Sequence, residues 1–126
     1  MRIISSPAAP KPVAAYSQAV EANGFLFTAG QLGIDPAAGA LPAGIEAQAE
    51  QVFANLRAIL DGAGSRPDQV VKVSIFLADL SHFAVVNAAY ERFVGAHRPA
   101  RTTIGAAALP QGALIEVDLV AVAPKS

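Results

Sequence analysis

The chain has 126 residues, 53% hydrophobic and 15% charged, with a formal net charge of −1 at pH 7 and no cysteine. That length suits one domain over residues 1–126 with one core. The lack of thiols excludes disulfides, thiolate catalysis and Cys-type zinc sites, and the near-neutral charge without a Lys/Arg-rich patch speaks against a nucleic-acid partner.

In chain order, "RIIS" (2–5) reads as a short strand, and "SPAAPKP" (6–12) as a Pro-rich loop. The N-terminus has no apolar leader core, and no run reaches the ~18 apolar residues needed to span a bilayer, so no membrane partner and a cytoplasmic location are the default expectations. "YSQAVEA" (16–22) and "FLFTAG" (25–30) read as strands joined by Asn23-Gly24, a strong two-residue hairpin signal. "QLGIDPAAGALPAG" (31–44) reads as a loop.

Residues 45–60 place Ile45, Ala49, Val52, Phe53, Leu56, Ile59 and Leu60 at helical spacing, with Glu46, Gln48, Glu50 and Arg57 off that face. The glycines of "DGAG" (61–64) end the helix. "VVKVSIFLA" (70–78) alternates as a strand, with Val71, Val73, Ile75 and Leu77 on one side. Ser81 is expected to cap a second helix over 82–95, whose apolar face is Phe83, Val86, Tyr90, Phe93 and Val94. The last strand spans roughly 114–122 and carries Ile115, Val117 and Leu119 on one face and Glu116 and Asp118 on the other.

The pattern strand, strand, helix, strand, helix, strand predicts an α+β chain with two helices on one face of the sheet. The aliphatic strand faces belong under the helices. The opposite face mixes Phe76, Leu114, Val120 and Val122 with Lys72, Ser74, Glu116 and Asp118. That is too apolar for open water and too polar for a dry core, which fits a subunit interface holding a polar pocket. The charged share, well below the average of about 25%, points the same way.

Several residues could carry chemistry. Arg101 opens a nearly all-apolar run with no further cation until Lys125. It is either an exposed edge arginine or an anchor that grips a carboxylate with two parallel hydrogen bonds. Glu116 and Asp118, two apart on one strand face, suit either a general-base site or a salt-bridged interface. Tyr16 can fill a core or wall a pocket with a hydroxyl handle. "TAGQ" (28–31) is a turn, or a place where free N–H groups meet a substrate oxygen. Asn87, among apolar helix residues, is expected to bond backbone. His82 and His97 form no metal-ligand spacing, so no metal is expected.

Four stretches carry a family resemblance: "YSQAV" (16–20), "FTAGQLGIDPAAGALPAGIEAQAEQVFANLRAIL" (27–60), "VVKVSIFLADLSHFAVVNAAYERF" (70–93) and "PARTTIGAAALPQGALIEVDLVAVA" (99–123). In this order, with the block P-A-R-[ST]-x5-LP-x4-IE as the most specific motif, the chain resembles the YjgF/YER057c/UK114 proteins, or RidA family of enamine/imine deaminases. The resemblance implies a chorismate-mutase-like α+β fold. It also implies a homotrimer whose sheets form a central barrel, with sites in the clefts between subunits. The implied reaction is cofactor-free hydrolysis of 2-aminoacrylate-type enamines or imines, such as 2-iminobutanoate and 2-iminopropanoate, to 2-oxo acids and ammonia. The relatives also bear an endoribonuclease label, which the charge balance disfavours.

Carried over by position, Arg101 matches the carboxylate-binding arginine and Glu116 the glutamate that positions or activates water. Tyr16 matches the aromatic pocket wall, and Gly30 the glycine whose backbone contacts substrate. Thr103 stands where cysteine is common and contributes through its backbone. Asn87 matches a helix asparagine of supporting role. The chain departs from the pattern at Ala14-Ala15 (commonly Gly-Pro), at Ala29 (often serine) and in a shorter loop at 95–100.

Overall fold

Alternation builds the centre of the molecule. In the computed structural model, which describes residues 1–124, the two fully alternating segments become the longest strands and lie side by side. The elements are β1 (Arg2–Ile4), β2 (Ala19–Ala22), β3 (Phe25–Thr28), β4 (Gln31–Leu32), α1 (Ile45–Gly62), β5 (Val70–Leu77), α2 (Phe83–Val94), β6 (Ala100–Gly105) and β7 (Ile115–Val122). They form one mixed sheet ordered β1-β2-β3-β7-β5-β6, with β4 also paired to β7. Pairing is antiparallel except between β5 and β6, which run parallel with α2 as their crossover.

The hairpin expected at Asn23-Gly24 forms with both residues at positive φ (51° and 82°), the twist that matches paired strands. Both helices cover one sheet face. Val73, Ile75 and Leu77 of β5 and Ile115, Val117 and Leu119 of β7 pack under Val52, Leu56, Ile59 and Leu60 of α1 and Val86 and Phe93 of α2. The aliphatic faces therefore lie under the helices, as their alternation implied.

Five local expectations are corrected. Val71 is not in the core: a register shift between Val70 and Lys72 puts Val70 inward at 2% exposure and Val71 outward at 42%. Residues 100–105, which fall outside the expected strands and helices, form edge strand β6. The 31–44 loop begins with strand β4. Ser81 does not cap α2; Asp79 accepts a hydrogen bond from the Ser81 N–H at 2.9 Å, capping one turn of tighter helix that leads into α2. Hydrogen bonding from Ser81, its side chain first and then its backbone N–H, holds the Asp79 carboxyl below its ordinary range. Gln48, read as lying off the apolar face of α1, is buried.

The face away from the helices remains open in the single chain, with Phe25, Phe27, Ile104 and Val122 each 41–48% exposed. Among the described residues no helix is long and apolar enough to cross a membrane.

Candidate active site

The Glu116 region is built by a strand that changes course. β3 pairs with β7 at Val120–Val122, and β4 resumes pairing at Glu116–Val117. Between them the chain lifts away at Ala29-Gly30. The Leu119 N–H is met by the Thr28 hydroxyl oxygen at 3.0 Å, and the Ala29 N–H donates to the Gln18 carbonyl at 2.8 Å. Glycine at position 30 lets the Glu116 side chain lie against the backbone in this rotamer. A Cβ at that position would collide with the Glu116 carboxylate, whose Cδ would lie 3.0 Å away.

Glu116 thus looks into a cavity of about 330 Å³ walled by Tyr16, Ala29, Gly30, Val13 and Leu32. Tyr16 lies before β2 rather than in it and is 47% exposed, so it walls the cavity and fills no core. Partial burial, reinforced by the nearby Asp118 charge, holds the Glu116 carboxyl above its ordinary range. Asp118 is also raised, by burial, against the opposing pull of a Ser74 hydrogen bond and Lys72.

Three buried amides that periodicity overlooked hold the surrounding loops, two of them at the cavity wall. Gln18 binds the Pro-rich loop: its Oε1 accepts from the Ser6 N–H at 2.6 Å, and its Nε2 donates to the carbonyls of Ser6 (3.1 Å) and Pro10 (2.9 Å). Asn55, with no exposure, donates to the carbonyls of Leu32 (3.1 Å) and Ile34 (2.9 Å). Gln48 links Pro42 to Leu114, donating to one at 3.0 Å and accepting from the other at 2.9 Å. For the two helix residues the available signal is a polar side chain inside an otherwise apolar face, clear for Asn55 among Val52, Phe53 and Leu56; Gln18, just before β2, has no such signal.

Arg101 lies elsewhere. On β6 it pairs with Val73, so its side chain shares the helix face. Its guanidinium sits 4.7 Å from the centre of the Tyr90 ring and 5.3 Å from that of Phe83. Nη1 donates to Asn87 Oδ1 at 2.7 Å, and Asn87 Nδ2 donates on to Glu91 Oε1 at 2.9 Å. Asn87 therefore bonds side chains, not backbone as expected. Among the described residues the ion pairs are Arg2–Glu21, Arg66–Asp68 and Arg92–Glu50, and none of their carboxylates pairs with Arg101. Thr103, two residues on and on the same face, has a buried hydroxyl without a partner.

The expected site residues therefore divide. Tyr16, Ala29, Gly30 and Glu116 come together at one cavity; Arg101, Asn87 and Thr103 come together under α2. The two groups lie on opposite faces of the sheet and do not meet within the chain. A larger hollow of about 590 Å³, between α1 and α2, is lined by none of them. His97 is committed to the Val70 carbonyl, 2.7 Å from its Nε2, and the described residues contain no group of three or more candidate metal ligands.

Comparison with known proteins agrees with these motifs. The family model for endoribonuclease L-PSP matches residues 6–123. A RutC family protein of Aquifex aeolicus is 46% identical over 124 residues, covering 97% of this chain and 99% of its own. The 2-iminobutanoate/2-iminopropanoate deaminase of Rattus norvegicus is 40% identical over 122 residues, covering 96% of this chain and 89% of its own. The crystal structure of TdcF from E. coli, with bound serine, superposes with a TM-score of 0.94 at 31% identity, covering 98% of this chain and 100% of that one. A match over nearly the whole chain, in sequence and in fold, makes this protein a member of the endoribonuclease L-PSP family, the YjgF/YER057c/UK114 or RidA proteins.

Proposed function

We propose that the protein hydrolyses 2-imino acids and their enamine tautomers, 2-iminobutanoate and 2-iminopropanoate among them, to 2-oxo acids and ammonia. The observation that carries this reading is Arg101: a half-buried guanidinium, held on three sides, with no carboxylate among the described residues to meet it. Such a cation is an anchor for a carboxylate from outside. The deaminase name of the rat relative and the serine bound to TdcF support a small ligand carrying a carboxylate.

Two half-sites on opposite faces act together when copies of the chain associate. The Arg101 cluster of one copy then faces the Glu116 cavity of the next. The exposed Phe25, Phe27, Ile104 and Val122 support such association, and a homotrimer closes it.

The chemistry then asks little of the protein. Arg101 holds the carboxylate, which fixes the imine carbon beside the cavity. Glu116, unprotonated, accepts a proton from water as the water oxygen bonds to that carbon. That proton passes to nitrogen, giving a carbinolamine; Glu116 then carries the hydroxyl proton to the amino group, so the C–N bond breaks, ammonia leaves and the carbonyl forms. No step calls for a cofactor.

The test supplies the unstable substrate in place. A threonine dehydratase with threonine generates the imine, and its loss is followed with and without this protein. The reading expects faster loss with the parent and no acceleration with Arg101→Ala. Equal acceleration by Arg101→Ala overturns it.

A further inference from the structure

We propose that Asn87, together with the ring faces of Tyr90 and Phe83, is a positioning device. It sets which edge of the Arg101 guanidinium is presented to a substrate carboxylate, and Glu91 steadies it from behind. The inference rests on the anchor role of Arg101 proposed above and deepens it.

The geometry is that of a clamp with one open side. A guanidinium has five N–H donors in a plane and no acceptor, so contacts to its faces and its edges are separable. Tyr90 and Phe83 meet it at 4.7 and 5.3 Å from their ring centres, distances at which a ring attracts a cation. They hold the charge without spending any N–H. Asn87 Oδ1 takes one N–H, on Nη1, at 2.7 Å. No other side-chain hydrogen bond to Arg101 occurs among the described residues, so the remaining N–H groups are left to pair with a ligand.

The choice of an amide at position 87 matters. A carboxylate there would form a two-point pair with the fork and satisfy the charge internally. An amide oxygen fixes the rotation of the plane and leaves the charge unneutralised. The amide itself can sit either way round, and Glu91 settles that: its Oε1 accepts from Asn87 Nδ2 at 2.9 Å, so the oxygen end is turned to Arg101. Glu91 is exposed and one turn along α2 from Asn87, so it steadies the amide without pairing with the cation. Tyr90 is buried at 5% exposure while Phe83 is 44% exposed, which makes Tyr90 the fixed jaw and Phe83 the outer one.

This arrangement makes a prediction that a merely structural role does not. The experiment measures KM and kcat in the dehydratase-coupled assay, the dissociation constant of 2-oxobutanoate by NMR titration, and the melting temperature. Asn87→Ala is expected to raise KM and weaken 2-oxobutanoate binding by about tenfold, with kcat changed less than about threefold. Asn87→Asp is expected to bind 2-oxobutanoate more weakly than Asn87→Ala, while melting no lower than the parent, because the new carboxylate occupies the fork. Tyr90→Leu should lose carboxylate affinity, and Tyr90→Phe, which keeps the ring face, should recover it. The inference is overturned if Asn87→Asp binds 2-oxobutanoate as tightly as the parent. It also falls if the loss in Asn87→Ala lies wholly in kcat. Arg101→Ala separates the two levels: if it still binds 2-oxobutanoate at parent affinity, the anchor reading itself fails and the clamp with it.

Discussion

The Glu116 cavity and the Arg101 clamp are made by different means. The cavity is a backbone construction, in which a strand leaves its ladder at Ala29-Gly30 and three buried amides hold the flanking loops. The clamp is a side-chain construction on regular elements, a strand residue gripped by a helix face. The carboxyl of the cavity is raised by burial and a neighbouring carboxylate, whereas the guanidinium of the clamp lies against two rings and an amide. The proposed reaction calls for both, a group that can take a proton and a charge that never gives one up.

The sharpest way to separate the two regions is to remove one function at a time. Glu116→Gln should lower kcat by about 10²–10⁴-fold, the range for loss of a general base, while 2-oxobutanoate still binds. Arg101→Ala should abolish binding first. If both variants lose binding equally, the division of labour is wrong.

Stability should divide the regions next. Asn55→Ala leaves the Leu32 and Ile34 carbonyls without their buried donor and should cost about 2–3 kcal/mol in urea unfolding. Hydrogen exchange should rise around β4 and leave β6 protected; equal loosening of β6 would merge the two regions.

The pH dependence is smaller and has a definite sign. Because the Glu116 carboxyl is raised, the acidic limb of kcat/KM should lie above the ordinary glutamate value of about 4.3. Asp118→Asn should move that limb down, since it removes one cause of the raise. Asp118 itself tests stability. Its raised folded value means that the folded chain holds the proton to higher pH than the unfolded chain does. Parent stability therefore falls as pH climbs from about 4 through the raised value, and the penalty persists above it. Asp118→Asn should melt above the parent at pH 7, and this gain should vanish below pH ~4.

Much of this was legible in the chain. β5, β7 and both helices announce themselves because burial on one face imposes a period of 2 or 3.6. β6 does not, because an edge strand with Arg101 and Thr103 on one face and Thr102 and Ile104 on the other alternates nothing that burial can sort. Gln18, Gln48 and Asn55 satisfy backbone groups outside their own elements, and no helix or strand period records such partners. Arg101 and Glu116 were both picked out by residue type. Their placement on opposite faces depends on the parallel β5–β6 register, which only the fold supplies.

The tether made by Gln18 also has a kinetic meaning. It joins residues 8 to 12 positions apart, and the Asn87–Arg101 bond joins residues 14 apart. Closing such short loops is fast and entropically cheap. The Thr28–Leu119 bond beside Glu116 spans 91 positions. The cavity wall at Tyr16 and the grip on Arg101 can therefore order early, each from its own stretch of chain. The Glu116 carboxylate depends on docking of the last strand, so the cavity is expected to be completed after its wall at Tyr16 and the grip on Arg101.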